Sequence, residues 1–134
     1  LTFNTIGRHQ SRLVRTRVAS NLSPWLSQCE PGDIHTVAIS HGEGRFMCSD
    51  ELVRKLAANG RIATQYVDEN GVPGMDIDVN PNGSVWAIEG ITSPDGRILG
   101  KMGHSERIAD GLYKNVDGRY DMKLFQSAKE YFNI

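Results

Sequence analysis

Four histidines and two cysteines are the side chains of this 134-residue chain best suited to catalysis, and one histidine has a carboxylate at working distance. His104 precedes Glu106 by two positions, and in extended backbone such residues project to the same side. The Glu106 carboxylate can then reach the near ring nitrogen of His104 and fix its tautomer, leaving the far nitrogen free as a general base. His9 and His35 have no acid or thiol at ligand spacing and read as surface or core histidines. No Cys-x-x-Cys or His-x-x-x-His pair occurs, so no metal site is expected. Gly103-His104-Ser105-Glu106-Arg107 has the outline of a Gly-x-Ser-x-Gly elbow, yet Arg107 fills the second Gly position and would crowd the turn. Ser105 is therefore not expected to act as a nucleophile. Cys29 stands beside Glu30, which raises a thiol pKa, and Cys48 lies in the apolar step Phe46-Met47-Cys48. If His104 serves a nucleophile, that nucleophile is expected from outside these residues.

A second candidate is the run His41-Gly42-Glu43-Gly44-Arg45. Two glycines around a glutamate let backbone approach a small polar ligand, and Arg45 can hold a carboxylate. The bland alternative is a plain loop. These glycines do not match a phosphate-binding loop, which needs Gly-x-x-x-x-Gly-Lys followed by Ser or Thr.

Positioning these groups requires a folded α/β scaffold, which the composition permits. Fifteen basic residues face 16 acidic ones for a net charge of −1, which argues against a phosphate-driven nucleic-acid binder. The longest apolar run is Val85 to Ile88, too short to enter a bilayer. Two cysteines make no disulfide framework, and a reducing cytoplasm is the expected location. Charge is uneven: Arg8, Arg12, Arg15 and Arg17 precede the first acid, Glu30. That stretch reads either as a solvated strand face or as a docking face for an acidic partner.

Alternation over Arg12 to Ala19 predicts a half-buried strand, and Ser23-Pro24 a short helical turn. His35 to Ser40 and Ile62 to Val67 read as buried strands. Between them Ser49 or Asp50 caps a helix with Leu52, Val53, Leu56 and Ala57 on one stripe and Gly60 beyond its end. Met75, Ile77 and Val79 alternate with Asp76 and Asp78 as in an exposed edge strand. Val85 to Ile91 and Arg97 to Met102 are expected to form a hairpin around Ser93-Pro94-Asp95-Gly96. Glu106 to Lys114 predicts a short helix, which would put His104 at a strand's carboxyl end before a helix start, where open α/β sheets bind ligands. A last helix is expected from about Asp121, with Met122, Phe125, Ala128 and Phe132 near one face.

Five segments, in this order, carry a resemblance: Ser40 to Phe46, Gln65-Tyr66-Val67-Asp68, Asn80-Pro81-Asn82-Gly83-Ser84, Ser93 to Arg97, and Gly103 to Arg107. Together they resemble the class I glutamine amidotransferase domain of the phosphoribosylformylglycinamidine synthase family, over essentially the whole chain. The resemblance implies a flavodoxin-like α/β fold, of which residues 1–134 supply the C-terminal half as a mixed sheet with a β-hairpin and flanking helices. It implies a Cys-His-Glu triad with His104 and Glu106 as its last two members and the His41–Arg45 loop at the glutamine pocket or at the synthase contact. The family more often has Pro-His-Pro-Glu-Arg; here Gly103 and Ser105 replace both prolines, which leaves the loop less restricted. No Gly-x-Cys-x-Gly elbow occurs, so the chain is expected to be a fragment without glutaminase activity of its own. L-glutamine, the missing half-domain and the synthase domain are the implied partners. No cofactor is expected in this chain, ATP and Mg belonging to the synthase domain. A cut sheet would expose an edge and an apolar face, so self-association or loose residues near 1–12 are also expected. A non-catalytic module binding the synthase portion is the alternative.

Overall fold

Val14, Thr16 and Val18 face inward while Arg15 between them faces water, and this alternation makes Gln10–Val18 the strand β1, flanked on both sides in the chain's single sheet. A computed structural model describes residues 1–134. The remaining elements are β2 (Ile34–His41), α1 (Asp50–Ala58), β3 (Ile62–Val67), β4 (Ile88–Thr92), β5 (Leu99–Lys101) and α2 (Leu124–Phe132), with one-turn 3₁₀ helices at Pro24–Leu26 and Val85–Ala87. The strands lie in the order β2-β1-β3-β4-β5. Every neighbouring pair is antiparallel, so the sheet expected as mixed is antiparallel throughout.

The expected hairpin and helices frame this sheet. Gly90 pairs Lys101 and Thr92 pairs Leu99 across the Ser93–Gly96 turn, where Ser93 Oγ donates to Asp95 at 2.6 Å. Ser49 caps α1 by accepting the Leu52 amide, and Gly60 takes φ +64° beyond its end, as a helix stop of this kind requires. Only Val53 and Leu56 of the anticipated α1 stripe are buried; Leu52 stays exposed. They pack with Ile62 and Ile88 as one of three apolar clusters.

Four local expectations are corrected. Met75 to Val79 forms no strand: the Asp76 carboxylate accepts the Asp78 amide at 2.9 Å and the Asp76 carbonyl accepts from Val79 and Asn80, closing a turn in place of a ladder. Residues 85–87 coil before β4 begins, with Trp86 and Ala87 at φ 51° and 53°. Glu106 to Lys114 forms separate turns instead of a helix, because Gly111 at φ +69° breaks the helical run. In α2 the buried residues are Leu124, Ser127 and Ala128, while Phe125 and Phe132 face out. Left-handed Lys123 starts the helix at Leu124 and so sets its phase by the Leu124–Ala128 pair.

The two sheet edges meet. After β5 the chain crosses back to β2 at the opposite edge, where the His104 amide donates to the Ala38 carbonyl at 2.8 Å. Farther along, the Arg119 carbonyl accepts the Thr36 amide at 2.8 Å. The sheet is thereby curled, and the free edge of β2 is covered by the chain's own later residues. Residues 2–12 are not loose: Thr2 bridges Arg45, and buried Asn4 donates to the carbonyls of Arg8 and His41. Two of the three arginines of β1 also find partners within the chain. Arg12 donates to the Asp78 carbonyl at 3.1 Å, and Arg17 to the Gln65 side chain at 3.2 Å. No helix is long and apolar enough to cross a membrane.

Candidate active site

Curling brings His104 from one sheet edge beside His41, the last residue of the other. Their rings stack at 5.1 Å between centroids and 9° between planes. Both line an open cavity of about 450 Å³, together with Trp25, Lys101, Glu106 and Phe125. Glu106 Oε1 lies 2.8 Å from His104 Nδ1. An ionised carboxylate can only accept, so Nδ1 carries a proton and, in the neutral ring, Nε2 is the nitrogen left with a lone pair. Glu106 is held below the ordinary carboxylate range, first by its own backbone amide and then by His104 and Arg107, so it stays ionised near neutrality. The side chains are 26% and 55% exposed, which leaves the pair open to a reactant.

The surroundings of His41 favour its neutral ring. Burial, and after it the neighbouring His104, lower its pKa. Its carbonyl accepts from Asn4 Nδ2 at 2.6 Å, which anchors the end of β2. Of the loop His41–Arg45, only His41 lines the cavity. Gly42 and Glu43 lie beside it in the chain, Glu43 exposed. Gly44 is buried, its amide on Asn4 Oδ1 at 2.9 Å and its carbonyl accepting from Ser84 Oγ at 3.3 Å. The Arg45 Nε–H group donates to the Gly83 carbonyl at 3.1 Å, so this guanidinium braces the Asn80–Ser84 turn.

A Cβ on Gly44 would overlap the side chain of fully buried Asn82, which donates to the Tyr66 hydroxyl at 3.3 Å. Gly44→Ala therefore displaces a buried amide, and the expected loss of stability is about 2–3 kcal/mol by urea denaturation, from overpacking and an unmade hydrogen bond.

The other candidates are occupied elsewhere. Cys29 Sγ donates to the Met122 carbonyl at 3.3 Å, and burial followed by Asp33, not adjacent Glu30, raises its pKa. Burial also raises Cys48. Neither thiol lines the cavity. Ser105 Oγ accepts from Lys101 Nζ at 3.0 Å. His9 shares a hydrogen bond with Ser40 Oγ at 3.0 Å. His35 is buried among β2 neighbours, its ring nitrogens unpaired and its pKa lowered to about 4, chiefly by burial.

Sequence reasoning missed Glu89 and Lys101. Glu89 is an acid inside an apolar strand, followed by Gly90, and that anomaly was the available signal. Its buried carboxylate accepts from Thr64 Oγ1, from the Gly103 amide at 2.6 Å and from Lys101 Nζ at 3.0 Å. The loop expected to be loosened by Gly103 and Ser105 is consequently held by hydrogen bonds that prolines at those positions could not make.

Comparison with known proteins agrees with this architecture. Residues 1–132 match the CobB/CobQ-like glutamine amidotransferase domain. Over 105 residues the chain is 40% identical to the phosphoribosylformylglycinamidine synthase subunit PurQ of Thermomicrobium roseum, covering 78% of this chain and 44% of that protein. A chain in the structure of PurLQS from Thermotoga maritima superposes with a TM-score of 0.74 at 28% identity, covering 98% of this chain and 52% of that one. The chain thus spans about half the length of the relatives it matches. With a match from end to end of the curled sheet and its His-Glu cavity, the chain belongs to the CobB/CobQ-like glutamine amidotransferase family.

Proposed function

We propose that residues 1–134 are the base-bearing part of a phosphoribosylformylglycinamidine synthase amidotransferase domain, with His104 as general base, Glu106 as its orienting carboxylate and a thiol supplied by polypeptide outside these residues. The observation that carries this reading is the 2.8 Å bond from Nδ1 to Glu106, which leaves Nε2 free at an open cavity. The identity to a PurQ subunit supports the assignment to purine biosynthesis.

The chemistry is acyl transfer from glutamine. His104 Nε2 takes the thiol proton, and the thiolate attacks the side-chain amide carbon. The tetrahedral intermediate collapses with transfer of that proton to the departing nitrogen, releasing ammonia and leaving a thioester. His104 then takes a proton from water as its oxygen attacks the thioester carbon, and glutamate leaves with the thiol restored. Glu106 keeps the ring aligned and stabilises the imidazolium formed twice in the cycle. His41 lies against the same ring; it and the Gly42–Arg45 segment border the glutamine pocket or the synthase contact.

Ammonia would pass to the synthase domain, which replaces the formyl amide oxygen of formylglycinamide ribonucleotide in an ATP- and Mg-dependent ligation in the cytoplasm. The partners in this reading are L-glutamine, the thiol-bearing part of the domain and the synthase; self-association belongs to the chain separated from them. A domain that merely bound the synthase would gain nothing from an imidazole held in one tautomer.

Glutamate release tests the division of labour. The purified chain alone is expected to release glutamate from glutamine at the buffer rate, and release is expected to appear when the thiol-bearing segment is joined to it. Turnover by the chain alone overturns the reading.

A further inference from the structure

Two buried charges that the acyl-transfer scheme does not use converge on the loop that carries His104. The Glu89 side chain is fully buried and that of Lys101 is 9% exposed, with Oε1 and Nζ 3.0 Å apart. An ammonium has three donors, and all three of these are spent: on Glu89, on the Gly103 carbonyl and on Ser105 Oγ, each at 3.0 Å. Glu89 Oε1 also accepts the Gly103 amide at 2.6 Å, while Oε2 accepts from Thr64 Oγ1. The absence of a side chain at residue 103 permits this approach, since a Cβ there would lie 2.7 Å from the Val37 methyls and 2.9 Å from Glu89 Oε1.

We propose that Lys101 and Glu89 are positioning residues for His104: they clamp the amide and carbonyl of Gly103 on one side and the Ser105 hydroxyl on the other, and so fix where Nε2 points. The His104 amide is independently fixed on Ala38. With the backbone held at three points, only the side-chain torsions of His104 remain, and Glu106 and the stacked His41 set those. Stability alone does not account for the pair, because well-packed apolar residues of similar volume serve a core as well as a buried ion pair does. Here the two bonds that the ammonium makes beyond Glu89, and the backbone bond of the carboxylate, all go to the residues flanking one imidazole.

This deepens the proposed function, and only its kinetic consequence rests on that reading; the orientation of the ring is measurable without it. Lys101→Met keeps the length of the side chain and removes its donors. In the complete amidotransferase the variant is expected to lower kcat for glutamine hydrolysis by about 100-fold, the scale of an ångström-sized misplacement, with KM changed by less than about threefold. In this chain, long-range ¹⁵N–¹H spectra of His104 are expected to change from a single Nδ1–H tautomer to an averaged pattern. Ser105→Ala leaves the buried pair intact and is expected to lose about fivefold in kcat, as one hydrogen bond would give.

Should Lys101→Met fail to fold, Ser105→Ala with the tautomer measurement decides. Full kcat together with an unchanged tautomer in the variants that fold overturns the proposal. A disordered tautomer with undiminished glutamine hydrolysis supports the positioning role and overturns His104 as the base.

Discussion

On replacement of His104 by alanine in the complete enzyme, glutamine-dependent synthesis is expected to fall by about 10³-fold or more, while synthesis from added ammonia is expected to continue at its former rate. The size follows from the number of proton transfers routed through one atom. In the proposed cycle Nε2 takes the thiol proton, delivers it to the leaving nitrogen and then activates water, so its loss would slow both halves. No other group within the cavity can substitute. His41 lies parallel to the ring with Nδ1 buried and unpaired and its pKa lowered by burial, and Ser105 already holds Lys101. In the proposed reading, ammonia-dependent synthesis bypasses glutamine hydrolysis and depends on residues outside this chain. Initial rates with glutamine and with ammonium chloride, measured side by side on one preparation, separate the two. An equal fall in both contradicts the assigned role and points to damage at the contact with the synthase portion.

The sequence carried the local part of this site and not the part assembled by the sheet. Alternation at Val14, Thr16 and Val18 made β1 readable because it is a consequence of extended backbone. The two-residue spacing found the His104–Glu106 pair, although the bond is made across a turn, closed by the Arg107 amide on the His104 carbonyl, and not along extended chain. The stacking of His41 on His104 joins residues 63 positions apart and exists only because the sheet curls until its edges meet. The Glu89–Lys101 pair is announced by no periodicity, since the register sets Lys101 opposite Gly90 and the long lysine side chain must reach past it to the carboxylate. Alternation also misled at Met75 to Val79: an aspartate that bonds its own following backbone overrides a strand pattern. The antiparallel pairing was equally hidden, since alternation locates strands without naming their neighbours.

The second large effect concerns stability. Glu89→Ala is expected to lower the unfolding free energy of this 134-residue chain by about 3–5 kcal/mol in urea, the usual consequence of removing one member of a buried ion pair. Lys101 would be left with an ammonium only 9% exposed, the Gly103 amide would lose its acceptor, and Thr64 would lose the carboxylate to which it donates. A double replacement, Glu89→Leu with Lys101→Met, distinguishes the two uses of the pair. It removes both charges and refills the space with apolar atoms, so most of the lost stability is expected to return, short by about 1 kcal/mol for the Gly103 amide still unpaired. His104 is not expected to recover with it, because Ser105 Oγ and the Gly103 carbonyl still lack a donor. A stable double variant with an averaged His104 tautomer separates holding the fold from aiming the imidazole, whereas recovery of both together would reduce the pair to core packing.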